Sequence, residues 1–200
     1  MPTSRLADAL AFATRLHDGQ VRNGTVIPYI SHPLAVTALV LEHGGDEDQA
    51  ICAALHDAVE DQGGLATAQE IARRYGPAVA DLVLACTDAM PEPGGTKPPW
   101  RERKTAFIAR LPQIPAAAAL VITCDKLHNL TALLADLARD GPSTLLRFNS
   151  PSELGWYYRA LAEGLAPFAD RAPVARLREL VAAFEPQVAQ LTAAGGGANG

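Results

Sequence analysis

Two adjacent residues, His56-Asp57, stand inside a stretch otherwise filled with Ala, Leu and Val. Burying an imidazole and a carboxylate in apolar company is unfavourable unless something pairs with them. A divalent metal does so, and so does a hydrogen-bonded couple with no metal. Two further residues have the right type and setting. His32 follows the stretch Pro28–Ser31, and Asp125 lies within an apolar run beginning at Ala116. His32, His56, Asp57 and Asp125 form a mixed nitrogen and oxygen donor set, which suits Mn²⁺ or Fe²⁺ better than a thiolate-type zinc site. A metal so held lowers the pKa of water and polarises a phosphoryl group.

Glu60 and Asp61 come four residues after His56 and Asp57. On a 3.6-residue helix each stands one turn beyond a candidate ligand, placed to act as general base and acid. The competing reading is a solvated pair at a helix end. Acids at a helix C-terminus oppose its dipole, which favours a functional reason. Asn129 is four residues after Asp125 and shares its face, with Lys126 and His128 beside it. Arg22, Arg101, Arg103 and Lys104 are candidate phosphate contacts because cations, and the planar guanidinium above all, pair well with phosphate oxygens. The bland reading for each is a surface charge. Packing or capping accounts for His17 and His43; Trp156, Tyr157 and Tyr158 are candidates for reading a base or a distant phosphate, with plain helix packing the favoured alternative.

Helices must position these groups. Leu6, Leu10, Ala13 and Leu16 set a helix over about 3–17. Ser31 suits an N-cap and Pro33 a first turn, for a helix reaching about His43. Asp46 or Asp48 starts the next, which carries Ile51, Ala54, Leu55 and Val59 and runs on to Gly63-Gly64. Thr67 opens a helix ending at Gly76, and Pro77 another reaching Thr87. Residues 90–99 read as a Pro/Gly-rich surface loop or lid. Helices follow at 100–111, 116–138, 151–168 and 173–192. No repeat and no sheet-forming alternation is visible, so the expected fold is all-α: one compact helical bundle over 1–193 and a disordered Gly-rich tail over 194–200.

The strings HDGQVRNGTVIPYISHP, AALHDAVEDQGG and CDKLHN carry a resemblance. The chain resembles HD-domain phosphohydrolases, and within them the hydrolase domain of RelA/SpoT proteins and the stand-alone small alarmone hydrolases. The motif-bearing part covers about residues 5–135. The resemblance implies an HD-type helical fold with one Mn²⁺ held by His32, His56, Asp57 and Asp125. It implies Glu60 and Asp61 as catalytic acids, and Arg22 and Asn129 as nucleotide or phosphate contacts. The implied reaction is hydrolysis of guanosine 3′,5′-bis(diphosphate), the alarmone of the stringent response, or its pentaphosphate form. Cleavage at the ribose 3′ position gives GDP or GTP plus pyrophosphate. The chain departs from the family pattern at Asn23, where a basic residue is usual, at Cys124, and in the length and proline content of the 90–99 loop. Two other readings compete: an HD phosphohydrolase for another nucleotide, such as the NADPH 2′-phosphate or a nucleoside monophosphate, and a non-catalytic nucleotide sensor.

Composition narrows the partners. The 200 residues are 48% apolar and 20% charged, an ordinary globular balance for one domain. A net charge of −5 argues against duplex nucleic acid, yet local cations and a metal can still hold a small anion. No signal peptide or membrane-length apolar run is read, so the expected address is the cytoplasm. Cys52, Cys86 and Cys124 are odd in number and widely spaced, which reads as free thiols. No heptad pattern argues for a dimer.

Overall fold

The computed structural model describes residues 4–89 and 98–196. Ten α-helices lie among them: α1 Ser4–Leu16, α2 Ser31–Glu42, α3 Glu47–Leu55, α4 Ala58–Asp61, α5 Gly64–Tyr75, α6 Pro77–Cys86, α7 Trp100–Arg110, α8 Ala116–Asp140, α9 Leu154–Gly164 and α10 Ala172–Gly196. Short 3₁₀ turns link the later ones. The described residues contain no strand, only an isolated bridge between Val21 and Pro28.

Two apolar clusters form, and α8 separates them. Residues of α1, α2, α3, α5 and α6 build the first with Leu120, Val121 and Cys124 of α8. Residues of α7, α9 and α10 build the second with Ile122, Leu127, Leu130, Leu133 and Leu137 of α8. A helix covered on both sides must be apolar nearly all round, which explains the composition of 116–124. By length and composition α8 is also apolar enough to cross a membrane, a correction to the sequence expectation, but 61% of its most apolar window is buried inside the protein.

α3 is enclosed in the same way: every residue from Ala50 to Leu55 is fully buried. Asp46 caps it, accepting from the Gln49 backbone while the Gln49 side chain accepts from the Asp46 backbone, 2.9 Å each way. The expected single helix through His56-Asp57 is in fact two, because a turn at these residues separates α3 from α4. The Asp61 N–H still donates to the Asp57 carbonyl at 3.0 Å, so the one-turn spacing survives for that pair. Gly63, in the left-handed region at φ +117°, redirects the chain into α5, which starts at Gly64 rather than Thr67.

Other boundaries moved slightly. Ser31 is the first residue of α2 rather than a cap, and no side chain caps that end. α9 starts at Leu154, after a 3₁₀ turn. α10 runs to Gly196, so 194–196 of the expected tail are helical, while 197–200 and most of the 90–99 loop, 90–97, lie outside the described residues.

Candidate metal centre and adjoining cleft

His32 enters from the first turn of α2, His56-Asp57 from the turn closing α3, and Asp125 from the middle of α8. The Nε2 atoms of His32 and His56 face each other at 3.2 Å. His32 Nε2 lies 3.1 Å from Asp125 Oδ1 and 3.5 Å from Asp57 Oδ2; His56 Nε2 lies 3.1 Å from Asp57 Oδ2 and 3.7 Å from Asp125 Oδ1. Donor atoms of His32, His56 and Asp57 all fall within 4.8 Å of one another. Two atoms each about 2.2 Å from one ion are at most about 4.4 Å apart, so the separations of 3.1 to 3.7 Å between these nitrogens and oxygens suit a single cation.

The protons agree. His56 Nδ1 donates to the Ala53 carbonyl at 2.8 Å, which leaves Nε2 to face the donor cluster. His32 Nδ1 lies 2.7 Å from His128 Nδ1. Burial, with the charges of His32 and Arg22, pushes His128 down to about 4, so it is neutral near pH 7 and free to accept there. Burial also lowers the pKa of His32, against the pull of Asp125 and Asp57. At His56 burial acts the same way, but the carboxylates of Asp57 and Asp125 outweigh it and raise the pKa well above the usual value. Burial would raise both carboxyl groups; instead His56 holds Asp57 low, and Lys126 with the two imidazoles holds Asp125 low. The point where two imidazole nitrogens and two carboxylates meet therefore attracts positive charge. That donor chemistry fits a divalent metal.

Surrounding groups orient the four. The Tyr29 hydroxyl donates to Asp57 Oδ2 at 2.6 Å. Lys126 pairs with Asp125 Oδ2, and the Asn129 amide donates to Asp125 Oδ1. Arg22 donates to Asn129 Oδ1 at 2.7 Å, which links the loop after α1 to α8. That loop is held by backbone bonds from Arg22 to Ile27 (2.8 Å) and from Tyr29 to Gln20 (2.9 Å).

Glu60 and Asp61 belong to two adjoining groups. Arg103 reaches Glu60 at 3.4 Å and grips Asp88 with Nη1 2.9 Å from both carboxylate oxygens; Lys104 also binds Asp88. Gln20 donates to Asp61 at 3.4 Å, while its own oxygen meets Gln62 Nε2 at 2.8 Å and His17 Nδ1 at 2.7 Å.

A cleft of about 470 Å³ opens beside the donor cluster. Arg22, Lys104 and Asn129, three of the sequence candidates for phosphate or nucleotide contact, line it; Glu60, Asp61 and Arg103 are not among its lining residues. Tyr157 and Tyr158, for which the sequence left packing and ligand contact both open, are buried and also line the cleft, whereas Trp156 packs under the Arg101 guanidinium, 3.3 Å from its ring centre.

Sequence reasoning missed Tyr29, Asp88 and Arg147. Tyr29 stood within a quoted motif, and its spacing from His32 was the available signal. Asp88 gave none, being a lone acid after a helix. Arg147 lines the cleft and packs on Gly24, where a Cβ would lie 2.8 Å from Arg147 Cδ. Asn23 donates to its carbonyl at 3.1 Å. A cation thus reaches the cleft from a distant segment at the loop where the resemblance expects a basic side chain.

The HD domain family matches residues 9–144. The guanosine-3′,5′-bis(diphosphate) 3′-pyrophosphohydrolase MESH1 of Xenopus tropicalis is 35% identical over 131 residues, 64% of this chain and 69% of its own length. The Homo sapiens MESH1 is 35% identical over 135 residues, 65% of this chain and 70% of its own. The bifunctional (p)ppGpp synthase/hydrolase SpoT of Escherichia coli K12 is 30% identical over 64% of this chain, but only 18% of its own length. Among solved structures, a metazoan ortholog of SpoT described as hydrolysing ppGpp shares the fold with a TM-score of 0.72 at 22% identity, covering 90% of this chain and 95% of its own. The lmo0812 protein of Listeria monocytogenes EGD-e matches with a TM-score of 0.66 at 28% identity, over 80% and 99%.

Proposed function

The chain belongs to the HD domain family, and we propose that it hydrolyses guanosine 3′,5′-bis(diphosphate), or its pentaphosphate form, at the ribose 3′ position. The products are GDP or GTP and pyrophosphate. The observation that carries this reading is the pair of facing imidazole nitrogens, 3.2 Å apart, between Asp57 and Asp125. The substrate comes from the relatives: MESH1 and SpoT carry that activity in their names.

His32, His56, Asp57 and Asp125 would hold one divalent metal, Mn²⁺ by resemblance. When bound, such a metal supplies Lewis acidity toward a phosphoryl oxygen and toward water. The protein's own groups do the rest. Water oxygen bonds to phosphorus, the bond from that phosphorus to the ribose 3′ oxygen breaks, and the departing oxygen takes a proton. Glu60 and Asp61 would between them accept the proton from water and deliver one to the leaving oxygen. Arg103 and Gln20 hold these acids by their side chains. Arg22, Asn129 and Lys104 would bind phosphate oxygens, each lining the cleft. Arg103, held on Asp88, is a positioning residue for Glu60.

A turnover panel with Mn²⁺ tests the proposal, using guanosine tetraphosphate, NADPH and common nucleotides, with products resolved by ion exchange. We expect GDP and pyrophosphate from the tetraphosphate. Asp57→Ala should abolish both metal binding and turnover. Glu60→Gln should keep the metal and lose about 10²–10⁴-fold in kcat, the usual contribution of a general acid or base. Turnover of another phosphoester alone would keep the centre and discard this substrate; an equally fast E60Q enzyme would remove Glu60 from the chemistry.

A further inference from the structure

Tyr157 sits in the first turns of α9 with 5% of its surface exposed. Its ring packs edge-on against Trp100, centroids 5.7 Å apart, and beside Tyr158 at 5.3 Å. The ring is thereby fixed by packing. The hydroxyl is not satisfied: it is buried and has no hydrogen-bond partner among the described residues. A buried hydroxyl left unpaired costs about 1–3 kcal/mol, and a phenylalanine would fill the same space without that cost.

Its surroundings are cationic. Tyr157, Lys104 and Lys126 line the same cleft. Lys104 Nζ lies 5.2 Å from the Tyr157 ring centre. Lys104 is paired with Asp88 and Lys126 with Asp125. An ammonium has three N–H donors, so one carboxylate partner does not exhaust it. A neutral donor and two anchored cations in one partly dry corner match an oxyanion carrying several acceptor oxygens.

We propose that the Tyr157 hydroxyl, with Lys104 and Lys126 of the same cleft, forms an anion-binding corner that takes a phosphate oxygen of the substrate. Tyr157 is then a specificity-determining residue beyond the four metal donors and the two acids. The assignment rests on the phosphohydrolase reading above. A phosphate oxygen can belong to the pyrophosphate that leaves or to the diphosphate that stays on the nucleoside.

The test compares the full-length parent protein with Tyr157→Phe, both with Mn²⁺. Inorganic pyrophosphate and GDP are titrated separately by calorimetry, and thermal midpoints are recorded. Y157F should keep or raise the midpoint, because it removes an unpaired buried hydroxyl. It should weaken one of the two ligands by about 10-fold or more, as expected for a hydrogen bond to a charged group. Weakened pyrophosphate assigns the corner to the released group, and weakened GDP assigns it to the retained one. In turnover of guanosine tetraphosphate, KM should rise more than kcat falls. Unchanged affinity for both ligands overturns the proposal, and so does a lowered midpoint, which would give the hydroxyl a structural partner. If the parent protein fails to cleave the tetraphosphate yet Y157F still weakens pyrophosphate, the corner stands and the substrate assignment falls.

Discussion

His128 decides where the proton of His32 resides. With the two Nδ1 atoms 2.7 Å apart, one must donate and the other accept. Burial and neighbouring charge lower the pKa of both rings and keep them neutral; where His32 Nε2 serves as a metal donor, its proton lies on Nδ1 and His128 Nδ1 is the acceptor. Groups that orient a metal-binding imidazole in this way are worth about 10–100-fold in affinity. His128→Phe should therefore weaken Mn²⁺ binding by that factor in a calorimetric titration, and His128→Gln, whose amide oxygen can accept, should recover part of it. Equal affinity in all three proteins would mean that His32 needs no help. At this scale much of the site was readable beforehand. His56-Asp57 stood out because two polar neighbours in an apolar run need a reason, and Asp125 for the same reason. His128 had the right place but no visible partner, since its contact lies 96 residues away in the chain.

Between elements, Asp88 ties the end of α6 to the start of α7 by binding Arg103 and Lys104 together. Its side chain is only 5% exposed, so solvent screens the pairing little. Burial works against its ionisation, yet Lys104, a hydrogen bond with Glu60 and Arg103 bring it from 3.8 to about 2. A carboxyl whose folded pKa is depressed contributes stability above its unfolded pKa, and that contribution disappears as pH falls from about 4 to about 2. The shift corresponds to about 2 kcal/mol. Asp88→Asn should lower stability at neutral pH and flatten the fall between pH 4 and 2, read from urea midpoints at each pH. An unchanged slope would place the acid sensitivity elsewhere. Periodicity revealed the helices well because apolar spacing reports burial. It could not reveal the break between α3 and α4, because the apolar spacing of Ile51, Leu55 and Val59 continues across it. Nor could it place Gly64 at the start of α5, a boundary set by the backbone turn at Gly63.

For the molecule as a whole, the donors come from both sides of a junction: His32 and the His56-Asp57 turn belong to the first cluster, and Asp125 to the helix that also walls the second. A ligand that binds only the folded arrangement stabilises it by about 2.7 kcal/mol at 100 times its dissociation constant. Mn²⁺ should raise the thermal midpoint, a chelator should reverse the rise, and Asp125→Asn should be insensitive to both. An equal response in D125N would remove Asp125 from the donor set. The all-helical class was legible in the sequence, but the division into two clusters was not, because α8 is apolar on both faces and its pattern favours neither. That division has a consequence for how such a protein can diversify. The family match ends at residue 144, and the cleft straddles that limit. Of its lining, Arg22, Tyr29, Lys104, Lys126, His128 and Asn129 lie before it, and Arg147, Phe148, Leu154, Tyr157 and Tyr158 beyond it. Substitutions at Tyr157 or Tyr158 can therefore reshape the cleft without touching any of the four donors.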